Sequence, residues 1–233
     1  MNQEKAIISF HELEIGYPDN TLSNPINLSL QEGELVALMG LNGTGKTTLF
    51  KTILKEQSPL AGEIRFKGKR LELNDLQHSI GVVYTERTHI FGFTVRDMIA
   101  MGRMPHTNRF GKLTEKDNAI IDSYISQLEL KEIENKQIDN LSDGQFQKVM
   151  IARALAQETP VILLDEPTAF LDVKNKLMIY NLLKKLAKEQ NKTILVSTHH
   201  IEFCTDYCDK ALLLKDKKIV EKSAIEIKSS DFD

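Results

Sequence analysis

Two apolar runs, Leu35-Val36-Ala37-Leu38-Met39 and Val161-Ile162-Leu163-Leu164, have no polar residue at alternate positions. A strand with one wet face alternates, so an unbroken run of this length predicts a parallel strand buried on both faces. Further strands are expected over Ile7 to Ile15, His78 to Tyr84 and Thr193 to Ser197. Helices are expected over Thr47 to Lys55 and Thr94 to Met101, and from Ser142 to about Gln157. Ile121, Tyr124, Ile125 and Leu128 recur at helical spacing, as do Ile179, Leu182, Leu183 and Leu186, and both sets mark faces turned to a core. Strands and helices interleaved in this way predict an α/β fold.

Chemistry enters where the buried strands end. The strand at Leu35 to Met39 runs into Gly40-Leu41-Asn42-Gly43-Thr44-Gly45-Lys46-Thr47-Thr48. The three glycines let successive backbone N–H groups turn inward around an anion. Lys46 adds a positive charge for the β and γ phosphates of a nucleotide, and the Thr47 hydroxyl can ligate Mg²⁺. The helix that follows places the anion at its N-terminus. The second run ends in Asp165 and Glu166, which emerge where open α/β sheets bind ligands. Asp165 is suited to holding Mg²⁺ through water, and Glu166 to orienting or deprotonating a water that attacks the γ-phosphate.

A third segment, Leu141-Ser142-Asp143-Gly144-Gln145, has no role within that site. Together the three segments resemble the nucleotide-binding domain of an ATP-binding cassette (ABC) protein, whose signature is LSGGQ. The resemblance covers nearly the whole chain. It implies a P-loop core of mainly parallel sheet with an N-terminal antiparallel β subdomain, over about 1–87 and 158–233, and an inserted helical subdomain over about 88–157. It also implies a head-to-tail pair of copies in which the Ser142 hydroxyl, Gly144 and Gln145 close over the ATP of the other copy. Asp143 departs from the family glycine, and its carboxylate is expected to face solvent or the helix start, away from phosphate. By the same resemblance Tyr17 stacks on adenine, Asp172 communicates between the two ATP sites, and His199 senses the γ-phosphate. His200 is given no role.

A second departure lies after the His78 to Tyr84 strand, where the family usually has a glutamine that touches Mg²⁺. Here Thr85 stands at or beside that position, followed by Glu86 and Arg87. A threonine side chain is short, whereas Glu86 has the length and the oxygen donor that Mg²⁺ favours. The expectation is that Glu86 takes the metal contact and Thr85 bonds within its loop, the other possibility being that Thr47 and Asp165 suffice.

Between the expected helices lie Gly102-Arg103-Met104-Pro105-His106 and then Gly111-Lys112-Leu113-Thr114-Glu115, whose proline and glycines break the helices and fix a turn. This stretch resembles the ATPases of importers for ferric siderophores, haem and cobalamin. It implies an ATPase subunit on the cytoplasmic face of the membrane, driving a separate permease served by an extracytoplasmic binding protein. The alternative is an ABC ATPase that remodels a soluble assembly such as an iron-sulfur scaffold. A regulator that only binds nucleotide would not need Glu166 and His199.

Composition fits this picture. The chain has 233 residues, enough for one large α/β domain with an insertion. No apolar stretch approaches the roughly 20 residues that span a bilayer, and the first residues carry no signal-peptide core. With 30 basic and 33 acidic residues, there is no electrostatic case for nucleic acid as a partner. Cys204 and Cys208 lie four apart in an expected helix, and they read as buried free thiols rather than metal ligands.

Overall fold

The computed structural model describes residues 6–87 and 91–232. Strand β1 (Ala6–Glu14) is followed by the two-residue strands β2 (Gly16–Tyr17) and β3 (Asn20–Thr21), then by β4 (Ile26–Gln31) and β5 (Leu35–Met39). Helix α1 (Lys46–Ile53) leads to β6 (Ala61–Phe66), β7 (Lys69–Arg70), the single turn α2 (Leu76–Ser79) and β8 (Ile80–Val83). Three helices come next: α3 (Val95–Met101), α4 (Glu115–Gln127) and α5 (Asp143–Ala156). The chain closes with β9 (Val161–Asp165), α6 (Val173–Gln190), β10 (Thr193–Ser197), α7 (Ile201–Tyr207) and the hairpin β11 (Lys210–Lys215) and β12 (Lys218–Ser223).

Among the described residues, two large sheets form. One has the order β4-β1-β6-β7 and is antiparallel, and the other has the order β12-β11-β5-β10-β9-β8. In the second, every neighbouring pair from β11 to β8 is parallel and only the edge strand β12 runs antiparallel. This is the expected α/β fold with an antiparallel N-terminal sheet. The unbroken apolar runs are explained by which side each residue faces. Val161 and Leu163 join Val36, Leu38 and Leu195 in a core shared with β1, β4 and α1, whereas Ile162, Leu164, Ile194 and Val196 pack with α5 and α6. Both faces are dry, so polar residues are confined to the ends of these strands.

Several boundaries differ from expectation by one or two residues, and two of them have a local cause. The strand expected from His78 begins at Ile80, because residues 76–79 close a helical turn whose last bond runs from the Ile80 N–H to the Leu76 carbonyl. Helix α1 begins at Lys46, one residue early, with Gly45 as its left-handed N-cap. The remaining helices start and stop for local reasons. Thr94 and Thr114 each cap a helix through reciprocal bonds with an aspartate three residues on, Asp97 and Asp117.

Helices α3, α4 and α5 pack on one another, and a buried arginine ties their ends. Arg103 Nε donates to Asp117 Oδ1 at 2.9 Å, while its Nη1 donates to the Ala156 carbonyl at 2.6 Å and to Glu158 Oε2 at 2.8 Å. The Arg103 and Asp117 side chains are only 3% and 5% exposed, so neither charge has water as an alternative partner. Cys204 is buried and Cys208 half-buried at the end of α7, both free. No helix among the described residues is long and apolar enough to cross a membrane.

Hydrogen bonds from the Thr114 side chain and backbone, with Arg103 behind them, hold the Asp117 carboxyl down to about 2. Its proton affinity is lower folded than unfolded, so the stability it adds is complete above the unfolded value and disappears as pH falls through about 2. Asp117→Asn is therefore expected to lose about 2 kcal/mol in urea unfolding at pH 7. The gap should narrow between about pH 4 and pH 2; a gap that stays constant with pH would contradict this origin.

Candidate functional site

The site forms where β5, β10 and β9 end side by side. Because β10 lies between the other two, the loop after β5 and the acids after β9 are separated by two strand spacings, about 10 Å. Side chains close that gap. Thr47 Oγ1, in the first turn of α1, donates to Asp165 Oδ2 at 2.8 Å, and Ser197 Oγ at the end of β10 donates to Asp165 Oδ1. The Asp165 carboxylate is almost fully buried, yet both oxygens are bonded.

The glycine loop wraps the start of α1. Gly43 has φ +80, with nothing within 4 Å of where a Cβ would stand, so glycine is required there by backbone conformation and not by space. Leu41 and Asn42 are exposed on the outer rim, the Thr44 hydroxyl donates to the Leu41 carbonyl at 2.9 Å, and Thr48 is buried in α1. Lys46 lies in the mouth of the loop, its Nζ donating to the carbonyls of Gly40 at 2.8 Å and Leu41 at 3.1 Å. Burial lowers the Lys46 pKa, and the carboxylates of Glu166 and Asp165 partly oppose this. An anion in the loop would relieve that desolvation directly.

Glu166 follows β9 with φ 44, a left-handed conformation that a non-glycine residue adopts only when its surroundings enforce it. Here its N–H is held by Ser197, through the side-chain oxygen at 3.0 Å and the carbonyl at 3.1 Å. His199 Nδ1 stands 3.2 Å from Glu166 Oε1 and 3.1 Å from Oε2. The His200 ring is tilted against that of His199 at 4.3 Å, and its Nε2 is 3.4 Å from Lys176 Nζ. Burial, then the neighbouring His199 and Lys176, lower the His200 pKa and favour its neutral form.

Tyr17 lies on the β2–β3 hairpin and is half exposed. That hairpin abuts the loop through Leu22, whose Cβ would be 3.3 Å from a Cβ on Gly45. Lys46, Thr47, Asp165, Glu166 and His199 are thus brought into one cluster.

The 141–145 segment stands apart. Ser142 caps α5, its Oγ accepting from the Gln145 N–H at 3.3 Å, while Gln145 Oε1 accepts from the Ser142 N–H at 3.2 Å. The Ser142 hydroxyl proton remains available to an outside acceptor. A Cβ on Gly144 would fall 3.0 Å from the Phe170 carbonyl, so the turn that ends at Asp172 needs glycine there. Asp172 caps α6, accepting from the Asn175 N–H at 2.8 Å, and that bond is the first cause of its lowered pKa.

The loop after β8 differs from expectation. Thr85 does not bond within its own loop; its hydroxyl donates to the Asp165 carbonyl at 2.6 Å. Glu86 is exposed. Nothing local to the chain singles out Ser197 or Arg87. Ser197 holds Asp165 and Glu166, and Arg87 meets Asp143 at 2.8 Å, so the Asp143 carboxylate is exposed as expected but is not free. Both partnerships join residues more than 30 positions apart, and no local pattern announces them.

Comparison with known proteins adds the family. The sequence model described as ABC transporter matches residues 23–169. An uncharacterised ABC transporter ATP-binding protein of Methanocaldococcus jannaschii is 41% identical over 217 residues, covering 92% of this chain and 75% of that one. The iron(3+)-hydroxamate import ATP-binding protein FhuC of Bacillus subtilis is 34% identical over 228 residues, covering 96% and 85%. Among solved structures, a metal-chelate type ABC transporter in an inward-facing conformation superposes with a TM-score of 0.83 at 32% identity, covering 97% of this chain and 86% of that one. The phosphate loop, the buried strand ending in two acids and the histidine beside them therefore have their explanation in descent: this chain belongs to the ABC transporter family.

Proposed function

We propose that this chain is the ATP-hydrolysing subunit of an importer for a metal chelate, a ferric siderophore, haem or corrinoid, working with a separate permease at the cytoplasmic face of the membrane. The observation that carries the ATPase reading is the single cluster of Lys46, Thr47, Asp165, Glu166 and His199. The named function of the Bacillus relative and the metal-chelate type of the similar transporter support the cargo class.

In this reading the N–H groups of Gly40 to Thr48 and the Lys46 ammonium hold the phosphates, with Tyr17 stacked on adenine. Thr47 and Asp165 present a hydroxyl and a carboxylate in contact, a donor set of hard oxygens that fits Mg²⁺. Mg²⁺ when bound would neutralise negative charge on the transferring phosphate. Glu166 orients or deprotonates the attacking water, and His199, hydrogen-bonded to it, faces the γ-phosphate.

Ser142, Gly144 and Gln145 act on the nucleotide of a second copy, since their bonds run to their own helix and its neighbours and not to the cradle of this chain. The helical unit over about 88–157 passes closure of the pair to the permease, and an extracytoplasmic binding protein delivers the cargo. The free energy for closure comes from ATP contacts made only in the closed pair, through Asp172 as well as the signature.

Lys46→Ala should weaken ATP binding or abolish turnover. Glu166→Gln is expected to retain ATP binding, lose turnover by about 10²-fold or more, and accumulate as a dimer with ATP. Steady-state ATPase equal to wild type in either variant would remove the site assignment. For the loop after β8, Glu86→Ala is expected to need more Mg²⁺ for half-maximal ATPase than wild type, because Thr85 is already engaged by the Asp165 carbonyl. Coincident Mg²⁺ titrations would leave Thr47 and Asp165 as sufficient.

A further inference from the structure

The two places where this sequence departs from its family, Asp143 in the signature and Thr85-Glu86-Arg87 after β8, meet in space. Arg87 Nη1 donates to Asp143 Oδ1 at 2.8 Å. Its Nη2 points to the carbonyls of Asp139 at 3.3 Å and Ile138 at 3.5 Å, just before the signature. The guanidinium carbon also lies 5.1 Å from the centre of the Phe146 ring, one turn into α5. One side chain therefore grips the segment before the signature, the signature itself and the helix after it. Two residues upstream, Thr85 holds the Asp165 carbonyl, so the same short loop is anchored on this chain's own ATP site and on the signature that serves the other.

Folding stability does not account for this grip. The side chains of Arg87 and Asp143 are 29% and 59% exposed, and an ion pair that open to water adds little. Asp143 is also welcome at the first position of α5 without help, because a helix N-terminus attracts acids. The difficulty it creates is in the reaction: a carboxylate beside Ser142 repels the phosphate that the signature has to meet once two copies close and water is displaced.

We propose that Arg87 is a positioning residue for the signature: it cancels and holds the Asp143 carboxylate so that a signature carrying an acid can close over the γ-phosphate of the second copy. This rests on the shared-site reading above. Arg87 is the compensation for Asp143, and its need disappears when the acid does.

The test is a double-mutant cycle in the full-length Glu166→Gln chain, reading the ATP-dependent dimer dissociation constant by sedimentation. Arg87→Gln is expected to raise that constant about tenfold. Adding Asp143→Asn should restore it to within about threefold of the parent, although neither charge is then present. Arg87→Lys keeps the charge and loses the fork, and should also stay within about threefold. ADP affinity of the Arg87→Gln chain should match the parent, which establishes that its fold and cradle are intact.

An Arg87→Gln defect that Asp143→Asn leaves uncorrected would overturn the proposal, as would an Arg87→Gln chain that dimerises like the parent or an Arg87→Lys chain as weak as Arg87→Gln. In each of those cases the dimerising parent still supports the shared site. A parent that stays monomeric at high concentration with ATP would instead overturn the shared site and this proposal with it.

Discussion

The arrangement depends on the side chain and backbone of Asp165. One carboxylate oxygen takes the Thr47 hydroxyl, the other takes Ser197, and the carbonyl takes Thr85. These bonds join the first turn of α1, the end of β10 and the loop after β8 at one nearly buried residue. A buried carboxylate left without partners would cost far more than it contributes, so the Thr47 and Ser197 donors are obligatory. They also fix the geometry that the chemistry uses, since Ser197 holds the Glu166 N–H and Glu166 meets His199.

Around that point the chain separates two tasks. The ends of the parallel strands build a phosphate site of their own, while α5 presents its capped N-terminus elsewhere, packed against the Phe170 carbonyl through Gly144. In the proposed reading each chain carries one half of two different sites. The helices that display the signature are locked by Arg103, whose three partners lie at the start of α4, the end of α5 and the residue pair beyond it.

Much of this was legible in the sequence because it is local. The strand into the glycine loop, the acids ending an apolar strand and the helical spacing of Ile179 to Leu186 each occupy one continuous segment, and each fell where expected. Boundaries were less legible: His78 and Ser79 belong to a helical turn because the hydrogen-bond partner of Ile80 is Leu76 and not a strand. The contacts of Ser197, Arg87 and Thr85 were not legible at all. Their side chains are ordinary, and what gives them meaning is a partner brought close only by the fold. The two departures from the family pattern could be seen separately in the sequence, but their meeting could not.

The claim on which the rest turns is that each ATP site is completed by the signature of another copy. Mixing a Lys46→Ala chain with a Ser142→Arg chain measures this directly through ATPase activity. In a head-to-tail pair of the two variants, one site keeps both an intact cradle and an intact signature while the other loses both. The account predicts that the two inactive chains recover activity on mixing, with a steep dependence on concentration. Mixed chains no more active than either alone, together with wild-type ATPase whose specific rate is independent of concentration, would contradict it.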